Sequence, residues 1–130
     1  MYSYVADTMA LILWLEKRKM PPKVKKRFLE AAKKEAEIII PSMVFAELGY
    51  LSEKGRIDTN LIESQNLIQN NASFKEHTLS FSTIQEAFKI EDISELHDRL
   101  ISAAGKELNL PILTNDPEIH RSKYVVAIWD

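Results

Sequence analysis

Cysteine is absent from this 130-residue chain, which removes disulfides and thiolate metal sites from consideration. An intracellular setting fits that absence, and a cytoplasmic protein is expected. No apolar run approaches the roughly 18 residues that a membrane-crossing helix needs. The first residues carry neither the basic start nor the small-residue cleavage site of a secretory leader, so none is expected. Glycine is scarce, at three residues. There is no internal repeat, low-complexity tract or long linker. The length suits one domain, spanning residues 1–130, with a core that needs no staples.

Acids outnumber bases only slightly, 19 against 17, but the two signs are segregated. Residues 17–34 hold nine basic side chains and one acid, Glu30. That segment is therefore about +8, and the remainder of the chain about −10. A basic arm on an acidic body suits a phosphate backbone, with Lys23, Lys26 and Arg27 as candidate contacts. The plain alternative is a solvated helix face.

Along the chain, short apolar runs alternate with helical periodicity. Residues 2–6 read as a strand. Residues 8–19 read as a helix with Leu11, Trp14 and Leu15 on one side. Pro21 and Pro22 break it and open a second helix, to about Glu37. "EIIIP" is a buried strand. Ser42 is placed to cap a helix to about Glu53, ended by Gly55, and Asp58 to cap another to about Asn70. "HTLSFS" is a weak strand, and residues 83–90 look helical. Ser94 is placed to cap a helix to about Asn109. "LPILT" and "YVVAIW" close the series as strands. This alternation predicts an α/β fold with a parallel sheet covered on both faces. Ligands of such sheets sit beyond the carboxyl ends of the strands.

Four acids occupy positions that invite attention. Asp7 leaves the first strand in "YVADTMALIL", and Asp116 leaves the strand "PILT" within "TND". Each is also a good helix cap, which is the plain reading. Glu47 lies within the apolar stripe Val44, Leu48 and Leu51, where a lone buried carboxylate is costly. Asp98 borders the buried face of "LHDRLISAAG", in a first turn where the helix dipole also favours an acid. Four carboxylates from four segments converge only if something offsets their repulsion. A hard divalent cation does so, and Mg²⁺ or Mn²⁺ prefers oxygen donors. The histidine and cysteine ligands usual for zinc are missing.

These residues resemble the PIN-domain family, and specifically the small prokaryotic VapC toxins of toxin–antitoxin pairs. "YVADTMAL" resembles the family's strand followed by Asp-Thr or Asp-Ser. "PSMVFAELGYL" resembles its second motif, with Glu early in a helix. "DRLISAAGKELNLPILTND" resembles its last two acids, paired alanines and Thr-x-Asp between them. One departure is Met9, where many members carry serine. The resemblance implies a PIN-like fold, a five-stranded parallel sheet flanked by helices on both faces. It implies Mg²⁺- or Mn²⁺-dependent hydrolysis of single-stranded RNA by a metal-activated water, leaving a 5′-phosphate and a 3′-hydroxyl. Asp7, Glu47, Asp98 and Asp116 are then the metal-binding, catalytic carboxylates, with Thr8 and Thr114 as the hydroxyls that orient them; a cap on the strand-to-helix turn is the alternative role for Thr114. The implied partners are RNA, a cognate antitoxin and a second copy of the chain in a homodimer.

Rival readings are weaker. A HAD-type phosphotransferase needs Asp-x-Asp after the first strand, and Met9 holds the second place. A receiver domain needs a paired acid there and a strand-end lysine, and neither is present. A non-catalytic RNA- or protein-binding module of the same fold, or a housekeeping RNA-processing nuclease, stays open as an alternative. A general-base role for His97, beside Asp98, is conceivable. Neighbouring helix positions face about 100° apart, however, so an exposed or capping residue is expected. Trp14 and Trp129 could stack on bases. For Trp14, which shares a stripe with Leu11, core or subunit packing is expected.

Overall fold

Five strands, all parallel, form one sheet in the order β3-β2-β1-β4-β5. They are β1 Tyr2–Ala6, β2 Ala36–Pro41, β3 Phe74–His77, β4 Ile112–Leu113 and β5 Ala127–Ile128. Seven helices join them: α1 Thr8–Leu15, α2 Pro22–Ala32, α3 Ser42–Glu53, α4 Leu61–Asn70, α5 Phe81–Ala87, α6 Leu96–Leu108 and α7 Pro117–Arg121. The structure, a computed structural model, describes residues 1–130. The first crossovers step outward from β1 to β3, and the third returns across β1 to β4. Right-handed connections then place helices on both faces of the sheet. Burial agrees: Tyr4, Val5 and Ala6 are buried in succession, as are Ile112 and Leu113. A strand with one wet face would alternate instead.

The core is one cluster of 27 buried apolar residues. Trp14 stacks on Phe28 at 5.3 Å and on Phe74 at 6.5 Å, tying α1, α2 and β3 together. Trp14 is thus a packing residue. No helix is long and apolar enough to cross a membrane.

Several element boundaries differ from those the sequence predicts. α1 stops at Leu15 because Lys17 turns left-handed (φ 55°) and the Arg18 N–H reaches back to the Leu13 carbonyl. α2 stops at Ala32, not near Glu37, because Lys34 does the same (φ 65°) and β2 already begins at Ala36. Ser42 does not cap α3 but opens it. Its hydroxyl donates to Glu76 and the His77 carbonyl and accepts from the Leu79 N–H. Asn60, not Asp58, caps α4 through the Glu63 N–H. Glu95, not Ser94, caps α6, while Ser94 donates to Glu118. The third strand is Phe74–His77 rather than "HTLSFS", because Phe81 already belongs to α5, which runs over 81–87 rather than 83–90.

Candidate active site

Beyond β1 and β4 the strand order reverses: the chain leaves β1 toward β2 and returns only later to β4. A cleft opens at such a switch point, at the carboxyl edge of the sheet. The register sets Ala6 opposite Leu113, and the Asp7 N–H bonds to the Leu113 carbonyl at 3.1 Å. Asp7 therefore lies level with the end of β4. Its carboxylate accepts from the Ala10 N–H at 2.9 Å and caps α1. Asp116 repeats the device, accepting from the Ile119 N–H at 3.0 Å and capping α7, with Pro117 at the first helical position. Asp98 stands in the first turn of α6, and Glu47 lies in α3 beside the buried Val44 and Leu48.

All four acids line one pocket of about 780 Å³. No lysine or arginine lines it, and His97 is the one side chain there able to carry positive charge. Burial is the main reason the Asp7 carboxyl rises from 3.8 to about 6; the negative charges of Glu47 and Asp116 add to it. Hydrogen bonds from Thr114 and the Ala10 N–H work against that rise. Asp98 is pushed up to about 7, first by burial, then by the charges of Asp116, Glu95 and Glu47 and a hydrogen bond with Asp116. Both carboxyls therefore ionise less readily than usual, first because they are buried and then because like charges crowd them.

Two threonines hold these acids. The Thr8 hydroxyl donates to Glu47 Oε1 at 2.5 Å. The Thr114 hydroxyl accepts from the Asp116 N–H at 3.1 Å and lies near enough to the Asp7 carboxylate to favour its charged form. His97 joins the pocket as well, its Nδ1 3.5 Å from Glu47 Oε2 and 3.4 Å from Glu95 Oε2. Its ring is half exposed. Sequence reasoning left His97 outside the site and missed Asn115 and Tyr50 altogether. Adjacency to Asp98 and Asp116, and one helical turn from Glu47, were the available signals.

The structure brings the four acids to one pocket but not three of them within reach of a single ion. The donor chemistry nevertheless suits a hard divalent cation. The donors are oxygens, and no lysine or arginine neutralises the wall. The ionised form of two of the acids also lacks a stabilising charge. Lys23, Lys26 and Arg27 are not part of the pocket. They lie on α2, which leads into the amino end of β2, away from the site's edge of the sheet. Arg27 packs over the Tyr4 ring and pairs with Glu30.

A PIN domain family model matches residues 4–123. No curated protein matches the chain by sequence. Among solved structures, a chain of the VapBC2 complex of Rickettsia felis, bound to a promoter DNA fragment, is similar with TM-score 0.72. It shares 21% identity over 98% of this chain and 99% of that one. The sarcin–ricin-loop-cleaving VapC toxin of Mycobacterium tuberculosis is similar with TM-score 0.70 and 11% identity, over 98% and 99%. A chain of a toxin–antitoxin complex from Klebsiella pneumoniae gives 0.62 and 15%, over 91% and 90%. Strand-end acids at the switch of a five-stranded parallel sheet, and a family match over most of the length, have one common explanation: this chain belongs to the PIN-domain family, a family of nucleases.

Proposed function

We propose that this chain is a metal-dependent endoribonuclease, the toxin of a toxin–antitoxin pair, which hydrolyses phosphodiester bonds in single-stranded RNA. The observation that carries this reading is the convergence of Asp7, Glu47, Asp98 and Asp116, from four separate elements, on one pocket without lysine or arginine. Those carboxylates would hold Mg²⁺ or Mn²⁺. A bound divalent cation lowers the pKa of a water and offsets charge on the phosphate.

The chain's own residues supply the orientation. Thr8 fixes Glu47, and Thr114, bonded by the Asp116 N–H, stands close enough to Asp7 to favour its charged form. The caps fix two of them further, because each spends an oxygen on a helix N–H. Water attack would leave a 5′-phosphate and a 3′-hydroxyl. A cognate antitoxin and a second copy of the chain are the protein partners in this reading. The similar solved chains that come from toxin–antitoxin complexes support the first.

The test is a titration of metal-free protein with Mg²⁺ or Mn²⁺, following melting temperature and cleavage of single-stranded RNA. Both should rise together, since an ion bound only by the folded state stabilises it. If neither moves, the reading is wrong and a non-catalytic module of the same fold takes its place.

A further inference from the structure

The pocket holds more than carboxylates. Along α3, Met43, Glu47 and Tyr50 follow at one-turn spacing, and Met9 of α1 joins them. Tyr50 is 57% exposed and Met9 43%, both large for apolar or aromatic side chains in a cleft. The Lys54 ammonium lies 5.4 Å from the centre of the Tyr50 ring and covers one of its faces. A flat ring with a cation on one side, next to an acidic, metal-suited edge, asks for a ligand that is both planar and anionic. A nucleotide is such a ligand: its base offers a π-face to the ring and its phosphate offers charge to the site. A base still paired in a duplex has its faces taken by its neighbours, so the base in question must be unpaired.

We propose that Tyr50, which lines the pocket together with Met9 and Met43, is a stacking platform for one unpaired nucleobase beside the phosphate that is cut. This rests on the nuclease reading above and adds to it how single-stranded RNA is told from duplex. Tyr50 acts here through its ring and not its hydroxyl.

The experiment pairs a binding arm with a cleavage arm. In the first, a short RNA carrying 2-aminopurine at successive positions is titrated with protein in EDTA. One position should be quenched by wild type and by Tyr50→Phe but not by Tyr50→Ala. In the second, Tyr50→Ala should raise KM about tenfold with kcat within about threefold, the scale of removing one base stack. An abasic residue at the quenched position should raise the wild-type KM equally and leave Tyr50→Ala with no further loss. Quenching that is independent of position 50, or a Tyr50→Ala penalty that persists on the abasic RNA, overturns the platform. So does a Tyr50→Ala protein whose only change is in oligomeric state, which would make this wall a contact between copies. Position-dependent quenching without any metal-dependent cleavage would instead keep the platform and sink the nuclease reading.

Discussion

Gly105 decides how closely α6 can approach β4, and Gly105→Ala should therefore destabilise the fold. A Cβ at that position would lie 2.7 Å from Ile112 Cγ1, 2.8 Å from Cδ1 and 3.1 Å from the Leu110 carbonyl oxygen. Contacts this short cannot stand. Ile112 is fully buried within β4, so it has nowhere to turn, and the backbone oxygen cannot be moved cheaply. Overpacking of this kind costs about 1–3 kcal/mol. Replacing glycine inside a helix returns up to about 1 kcal/mol. With the full offset the net loss is up to about 2 kcal/mol, which lowers the melting temperature by up to roughly 10 °C in a chain of this size. Because α6 carries Asp98 and β4 leads to Asp116, a lifted helix should also weaken metal-triggered stabilisation. Urea unfolding and a Mn²⁺ titration would read both. The decisive control is Ile112→Ala, which removes the atoms in the way. Alone it should cost about 2–5 kcal/mol, but together with Gly105→Ala the cost should fall short of the sum by at least about 1 kcal/mol. Strictly additive costs of Gly105→Ala and Ile112→Ala would refute the close-approach argument.

Other consequences can be measured as directly. A carboxyl whose pKa is higher in the folded than in the unfolded chain favours the fold at low pH, and that advantage is lost as pH rises. For Asp7, raised from 3.8 to about 6, the metal-free protein should lose up to about 3 kcal/mol between pH 4 and pH 7. Asp98, pushed up to about 7, extends the window upward. Denaturant unfolding in EDTA at pH 5 and pH 8 should show the loss, and stability that is flat or rising would contradict it. Asp7→Asn keeps a capping oxygen for the Ala10 N–H, so it should fold, flatten that pH slope and lower RNA cleavage by orders of magnitude. Glu16 accepts from the Asp58 and Thr59 N–H groups and the Thr59 hydroxyl, which together outweigh burial and hold its carboxyl below its ordinary range. Glu16→Ala should cost about 2 kcal/mol by thermal unfolding and leave metal binding unchanged. Reversing Lys23, Lys26 and Arg27 to Glu should spare cleavage of a tetranucleotide confined to the pocket. If α2 tracks longer RNA, the salt dependence of binding should flatten by a log–log slope of about 0.7 for each phosphate that α2 no longer neutralises. An unchanged slope would leave α2 as a solvated face.

The strands β1, β2 and β4 were legible because their apolar residues run together, and a run of that kind between helical patterns has few other readings. β3 was not. It is an edge strand in which Phe74 is buried while Lys75 and Glu76 face solvent, so no apolar period marks it. Helix ends were misread where lysine takes the left-handed turn usually given to glycine, at Lys17 and Lys34, whereas Gly55 was read correctly. Caps were misread where a longer side chain displaced the expected short one, as with Glu95 for Ser94. In the site, the acids stood out because each breaks an apolar pattern. His97, Asn115 and Tyr50 break none; their one signal is position, next to Asp98 or Asp116 or a turn from Glu47, and the three-dimensional cleft gives that position its meaning.

The adjacency of β1 and β4 also sets a schedule. Asp7 is made early, and its partner Asp116 late, in the stretch matched by the family pattern. At about 5–20 residues per second, synthesis separates them by roughly 5–20 s. Once β2 has been made, β1 has it on one side and an open edge on the other, because β4 does not yet exist. In the proposed nuclease, a nascent chain on the ribosome therefore carries only half of the candidate site while RNA surrounds it. On that reading the half-built sheet is inactive, and the candidate site is complete only when the late strand closes against the first.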